Sequence, residues 1–137
     1  MTYYFDGMHD LLHQAFDQFA RASVLKFAAR MQSASTVDEA CDAIALSIER
    51  DMLGNQRDLN INLEFYTLAA RDLSFRDISD RWMSATQKVM GRFFDSETTV
   101  LLDAMIEGLT LHRALGGEPR KPQSIRDGIR RIIDHRR

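Results

Sequence analysis

The chain has little of what would commit it to a special environment. Among its 137 residues there is a single cysteine, Cys41, so no intramolecular disulfide framework is possible, and the sequence suits a reducing cytoplasm. It has two prolines, Pro119 and Pro122, so the first 118 residues contain nothing that forbids a long helix. No stretch approaches the roughly 18 consecutive apolar residues of a membrane span, and no basic segment followed by an apolar one opens the chain. Membrane insertion and secretion are therefore not expected. Charge of one sign is lacking too. Twenty acidic residues nearly balance 18 basic ones, leaving a formal charge of -2 and no overall attraction to nucleic acid or anionic lipid. Arg120, Lys121, Arg126, Arg130, Arg131, Arg136 and Arg137 crowd the C-terminal end, which reads as a solvated face with Asp127 and Arg131 paired at i,i+4.

What is present is 45% hydrophobic residues in helical spacing, enough for one packed core and one domain. Met8, Leu11, Leu12, Ala15, Phe16 and Phe19 fall on one side of a helix from about Met8 to Ser33. Thr36 followed by Glu39 has the spacing of a capping box, opening a second helix through about Leu53. Its inward stripe is Val37, Ala40, Cys41, Ile44, Ala45, Ile48 and Met52, with Gly54-Asn55 at its end. Leu59, Ile61, Leu63 and Phe65 alternate like a strand, but the run is long, has no partner strand, and returns to helical spacing at Leu68 and Ala69; a helix is expected. Ser74 is expected to cap a fourth helix running to about Asp95, Ser96 a fifth to Leu115, and Ser124 a short sixth carrying Ile125, Ile129, Ile132 and Ile133 inward. Gly116-Gly117 closes the fifth. The expected fold class is all-α, a bundle of about six helices.

The fifth helix has two apolar stripes. Leu102, Met105, Ile106 and Leu109 form one, and Leu101, Ala104, Gly108, Leu111 and Leu115 another, roughly 140° apart at about 100° per residue. Asp103, Glu107 and Thr110 are read as the wet side. A helix apolar in two directions needs two covers. One is the chain's own core. The other is expected to be a second copy, with this helix and the last pairing as a four-helix bundle through Leu101, Ala104, Gly108, Leu111, Leu115, Ile125 and Ile129.

Three segments, in this order, resemble the TetR family of transcriptional regulators. Met1-Thr2-Tyr3-Tyr4-Phe5-Asp6-Gly7-Met8-His9-Asp10-Leu11-Leu12 is similar to the end of that family's DNA-recognition helix, a turn, and the connecting helix. Glu64-Phe65-Tyr66-Thr67-Leu68-Ala69-Ala70-Arg71-Asp72 resembles its sensor core, and Leu102-Asp103-Ala104-Met105-Ile106-Glu107-Gly108-Leu109 its dimer helix. The resemblance implies that residues 1–7 are a remnant of the recognition helix and turn, with most of the helix-turn-helix head missing, and that residues 8–137 are an effector-binding and dimerisation domain. Tyr3 matches a phosphate-contacting position. Tyr4 and Met8 stand where the family usually has histidine and lysine. The implied function is a ligand-responsive regulator, a repressor, that is homodimeric and cytoplasmic and reaches operator DNA only through that head. The alternative is a stand-alone dimeric small-molecule-binding or decoy protein without DNA-binding activity.

A sensor of this kind needs an apolar cavity with a few polar groups. Candidates for its lining are Phe27, Asn62, Phe65, Tyr66, Trp82, Met83, Thr86, Met105 and His112, each of which also fits plain core. Asn62 stands out, because it falls within the apolar arc of its helix and a buried amide is costly without a partner. His9 and His13, four apart, resemble half of a zinc site, but no third ligand is identifiable and no metal or other cofactor is expected. No set of acid, base and nucleophile suggests an enzyme.

Overall fold

The computed structural model describes residues 2–52 and 55–134, with side chains from Gly7 onward. Among them are six α-helices and no strand: α1 (Thr2–Gln32), α2 (Val37–Leu46), α3 (Gln56–Arg71), α4 (Leu73–Met90), α5 (Ser96–Ala114) and α6 (Pro122–Ile133), with a π-helical segment, Ser47–Met52, prolonging α2. The all-α expectation holds, including α3, whose alternating apolar residues lie in helix. Leu53 and Gly54, expected at the end of the second helix, lie outside the described residues, as does the side chain of Tyr3.

Several boundaries differ from the sequence expectation, each for a local reason. The turn expected before Met8 is not formed, because α1 runs without a break from Thr2 through Gly7. Asp72, two residues earlier than expected, caps α4; its Oδ1 accepts from the Ser74 backbone N–H at 3.0 Å and from the Ser74 hydroxyl at 2.7 Å. Asp95 rather than Ser96 caps α5, accepting from Thr98 N–H at 2.8 Å. Pro122, not Ser124, opens α6, where a ring that fixes φ and lacks an N–H costs nothing. The Thr36 cap is as expected, its hydroxyl oxygen accepting from Glu39 N–H at 3.1 Å. Gly116, at φ 90°, closes α5 in a conformation only glycine adopts freely. Beside it, a side chain on Gly117 would sit 2.8 Å from the His112 carbonyl oxygen.

The core forms two clusters. One joins the C-terminal half of α1 (Phe27, Met31) to α2 (Ala40, Cys41, Ile44), α5 (Leu102, Ile106) and α6 (Ile125, Ile129). The other packs Phe16 and Ala20 of α1 on Phe65 and Ala69 of α3 and on Phe75 and Ile78 of α4. Cys41 is buried, and burial pushes its thiol pKa up, so it behaves as a small apolar filler. By contrast Met8, Leu11, Leu12 and Val37, expected inward, are exposed.

Two findings revise the reading of the last helices. Ile125 and Ile129, expected at an interface between copies, are 2% and 0% exposed within the single chain, so they belong to its core and have no area left to give to a partner. Two of the three basic residues of α6 are held by acids of α2, Arg126 by Asp42 at 2.6 Å and Arg130 by Asp38 at 3.0 Å. Asp127 accepts from Gln123 instead of pairing with Arg131. The second apolar stripe of α5 does face out: Leu101 and Leu115 are 45% and 67% exposed, Ala104 is exposed, and Gly108 and Leu111 are half-buried.

Candidate functional site: a cavity with an acidic wall

Five stretches of helix leave a cavity of about 220 Å³ between the two core clusters. Helical spacing explains how each contributes. Phe19, Ala22, Ser23, Lys26 and Phe27 share one face of α1; Asp58, Asn62 and Tyr66, four apart, share one face of α3; Trp82, Met83 and Thr86 come from α4; Asp103, Ile106, Glu107 and Thr110 come from α5; and Ser47, Asp51 and Met52 come from the π segment. A π-helical turn shifts the phase of the residues that follow it, and such turns recur at functional sites.

The aromatic wall is continuous. Trp82 stacks on Tyr66 at 6.4 Å between centroids, meets Phe19 edge-on at 5.9 Å, and rests on Phe65 at 5.6 Å. Burial pushes the Tyr66 phenol pKa up, and the nearby Glu107 and Asp103 carboxylates add to the shift, so Tyr66 stays a neutral donor. Most hydroxyls around the cavity are already spent on their own helices. Ser23 donates to the Phe19 carbonyl, Ser47 to that of Ala43 and Thr110 to that of Ile106, at 2.8 to 2.9 Å. Asn62 is the exception among described residues: its Oδ1 is buried and has no hydrogen-bond partner.

The carboxylates are the least expected feature. Asp103 is 6% exposed and Glu107 half-buried, although sequence reasoning placed both, with Thr110, on the wet side of α5. Burial pushes the Asp103 pKa up, partly opposed by a hydrogen bond from Gln87 at 3.4 Å. Burial and the Asp103 charge together raise Glu107 from 4.5 to about 7. Asp51 differs, because Arg30 binds it through two hydrogen bonds.

Of the residues proposed from sequence, Phe27, Asn62, Tyr66, Trp82, Met83 and Thr86 lie on this cavity. Three do not. Phe65 is fully buried beneath Tyr66 and Trp82. Met105, one residue from Ile106 and so turned by about 100°, packs against Gly128 of α6. His112 is exposed near Leu109 and Leu115. Asp103, Glu107 and Thr110 were missed, and their i,i+4,i+7 spacing, the same as that of a buried stripe, was the signal.

His9 and His13 fasten α1 to the start of α4. His13 Nε2 donates to the Ser74 carbonyl at 3.2 Å, and His9 Nε2 lies 3.1 Å from both Asp72 Oδ2 and Ser74 Oγ. Both rings pack on Phe75. Hydrogen bonds from Ser74 and His9 hold Asp72 below its ordinary carboxylate range. Serine, histidine and aspartate meet here, but both partners share one ring nitrogen, whereas nucleophilic catalysis needs them on opposite ones.

The described residues form a six-helix bundle with a small cavity and an apolar helix face turned outward, the all-α architecture of a regulator's C-terminal domain. Residues 35–135 match the family model described as the tetracycline repressor-like C-terminal domain. The chain belongs to this family of transcriptional regulators. It is also similar to the crystal structure of a candidate transcriptional regulator from Streptomyces coelicolor A3(2), with 40% identity, a TM-score of 0.82, and coverage of 97% of this chain and 77% of that one. No curated protein matches the chain significantly in sequence.

Proposed function

We propose that the chain is the sensor and dimerisation part of a ligand-responsive transcriptional repressor, a binding module and not an enzyme, working in the cytoplasm. The observation that carries this reading is the cavity, which joins an apolar aromatic wall to a few polar groups, one of them the unsatisfied Asn62. No helix among the described residues is long and apolar enough to cross a membrane.

The mechanism follows from the cavity's position. Five lining residues lie on α1, a helix of 31 residues and so about 46 Å long. In this reading the N-terminal end of α1 lies nearest the DNA and residues 1–7 are a remnant of the recognition helix, Tyr3 matching a phosphate-contacting position by resemblance. A ligand wedged between α1 and α5 favours one tilt of α1 over another. Two heads must fit half-sites about 34 to 36 Å apart, so that tilt changes DNA affinity, and DNA changes ligand affinity by the same factor. The outward stripe of Leu101, Ala104, Gly108, Leu111 and Leu115 pairs with its copy, the small residues at Ala104 and Gly108 letting the helices approach closely.

The reading is tested by placing this domain behind a helix-turn-helix head and measuring operator binding by gel shift. Specific binding that a cavity ligand weakens is the expected result. Binding that is indifferent to every ligand that fills the cavity would remove the sensor role.

A further inference from the structure

Building on the effector cavity proposed above, we infer that its ligand is a small organic cation, an amine or quaternary ammonium carried on an apolar body. The charges facing the cavity do not balance. From α5 come Asp103 and Glu107, from α3 Asp58, and from the π segment Asp51; α1 supplies Lys26, and α4 supplies no charge. Asp51 is already bound by Arg30. Lys26 is exposed and makes no ion pair among the described residues. Asp103, buried, and Glu107, half-buried, thus share one turn of α5 with no ion pair to a cation among the described residues.

Two carboxylates four apart on one helix repel each other, and burial removes the water that would screen them. Such a pair is stabilised by whatever brings a positive charge. Facing it from α3, Asn62 offers a buried oxygen without a donor, which an N–H group of the ligand would satisfy. Tyr66, Trp82 and Phe19 present ring faces and edges, and ring faces attract cations. Acidic acceptors and π faces therefore outnumber the one cationic side chain, Lys26, on the described lining, a pattern that disfavours anions and favours a ligand that brings its own positive charge. Among the described residues no group of three or more His, Cys, Asp or Glu could hold a metal ion, and the apolar walls suit a carbon skeleton.

Trp82, the only tryptophan, lines the cavity and reports its occupancy. Three probes of one shape, 3-phenylpropylamine, 3-phenylpropanol and 3-phenylpropanoate, are titrated by Trp82 fluorescence and calorimetry up to millimolar concentration. The amine is expected to bind at least about tenfold tighter than the alcohol, and the carboxylate weakest. In the Asp103→Asn, Glu107→Gln double variant the amine's preference should vanish while the alcohol binds as before. Glu107 titrates near 7, so amine affinity should rise from about pH 6 to about pH 8 with the alcohol's unchanged. A Trp82 response in which the alcohol or carboxylate binds as tightly as the amine would overturn the cation inference and leave the effector cavity standing. No response to any of the three would remove both.

Discussion

The two faces of α5 are the reverse of what a water-soluble helix shows. Its inward face carries Asp103, Glu107 and Thr110 beside Leu102 and Ile106, while its outward face carries Leu101, Ala104 and Leu115. A helix serving only the stability of one chain would exchange these sets, because burying a carboxylate costs free energy and exposing leucine forgoes it. That both departures fall on one helix, back to back, supports the two proposed roles of α5, a ligand within and a second copy without.

The largest effect should come from charging the outer face. Ala104→Glu places a carboxylate where two copies of α5 are proposed to meet, and it should weaken self-association by at least about 3 kcal/mol, a hundredfold or more, with helicity unchanged. Sedimentation equilibrium reads this directly. Next in size is Ile129→Ala, expected to lower unfolding free energy by about 2–4 kcal/mol in denaturant titration, because the residue is fully buried in the chain's own core. Leu115→Ala, by contrast, should change the stability of dissociated chains by less than about 0.5 kcal/mol.

The inner face is probed by pH. Glu107 takes up a proton in the folded chain near 7 against an ordinary value of 4.5, so the folded state binds more protons between those values. Stability contributed by this group therefore falls as pH rises through that window and levels off above it. Glu107→Gln should remove the decline and stabilise the ligand-free chain at pH 8 by on the order of 1–2 kcal/mol, after allowing for partial solvent screening. Thermal melts across the window test the sign. A smaller effect is expected for Gly108→Ala. A methyl group there meets nothing within 4 Å in the single chain, so the helix should gain about 0.5–1 kcal/mol while pairing of copies weakens.

Periodicity made the helices and the two-stripe character of α5 legible, since both follow from side chains recurring every 3.6 residues. It did not say which stripe faced inward. Asp103 and Glu107 were assigned to water because charges usually are, and only the position of α5 between α3, α4 and α6 reverses that. The same gap explains Ile129, whose apolar character fits a core and an interface equally until α2 is seen to cover it. Cap positions were legible where a reciprocal pair marked them, as at Thr36 and Glu39, and not where an aspartate stood two residues from a serine, as at Asp72 and Ser74. The aromatic wall was readable from α3 and α4 because Tyr66, Trp82 and Met83 lie on their inward arcs. Met105 was not, since one step along α5 carries a residue from the cavity to α6.

Adjacent cysteines test the orientation of α5 most directly. In a Cys41→Ala background, Gly108→Cys should form a disulfide between copies under mild oxidation, seen as a linked dimer on a denaturing gel, while Glu107→Cys, one residue away and turned inward, should remain monomeric. Crosslinking at Glu107→Cys with none at Gly108→Cys would contradict the account.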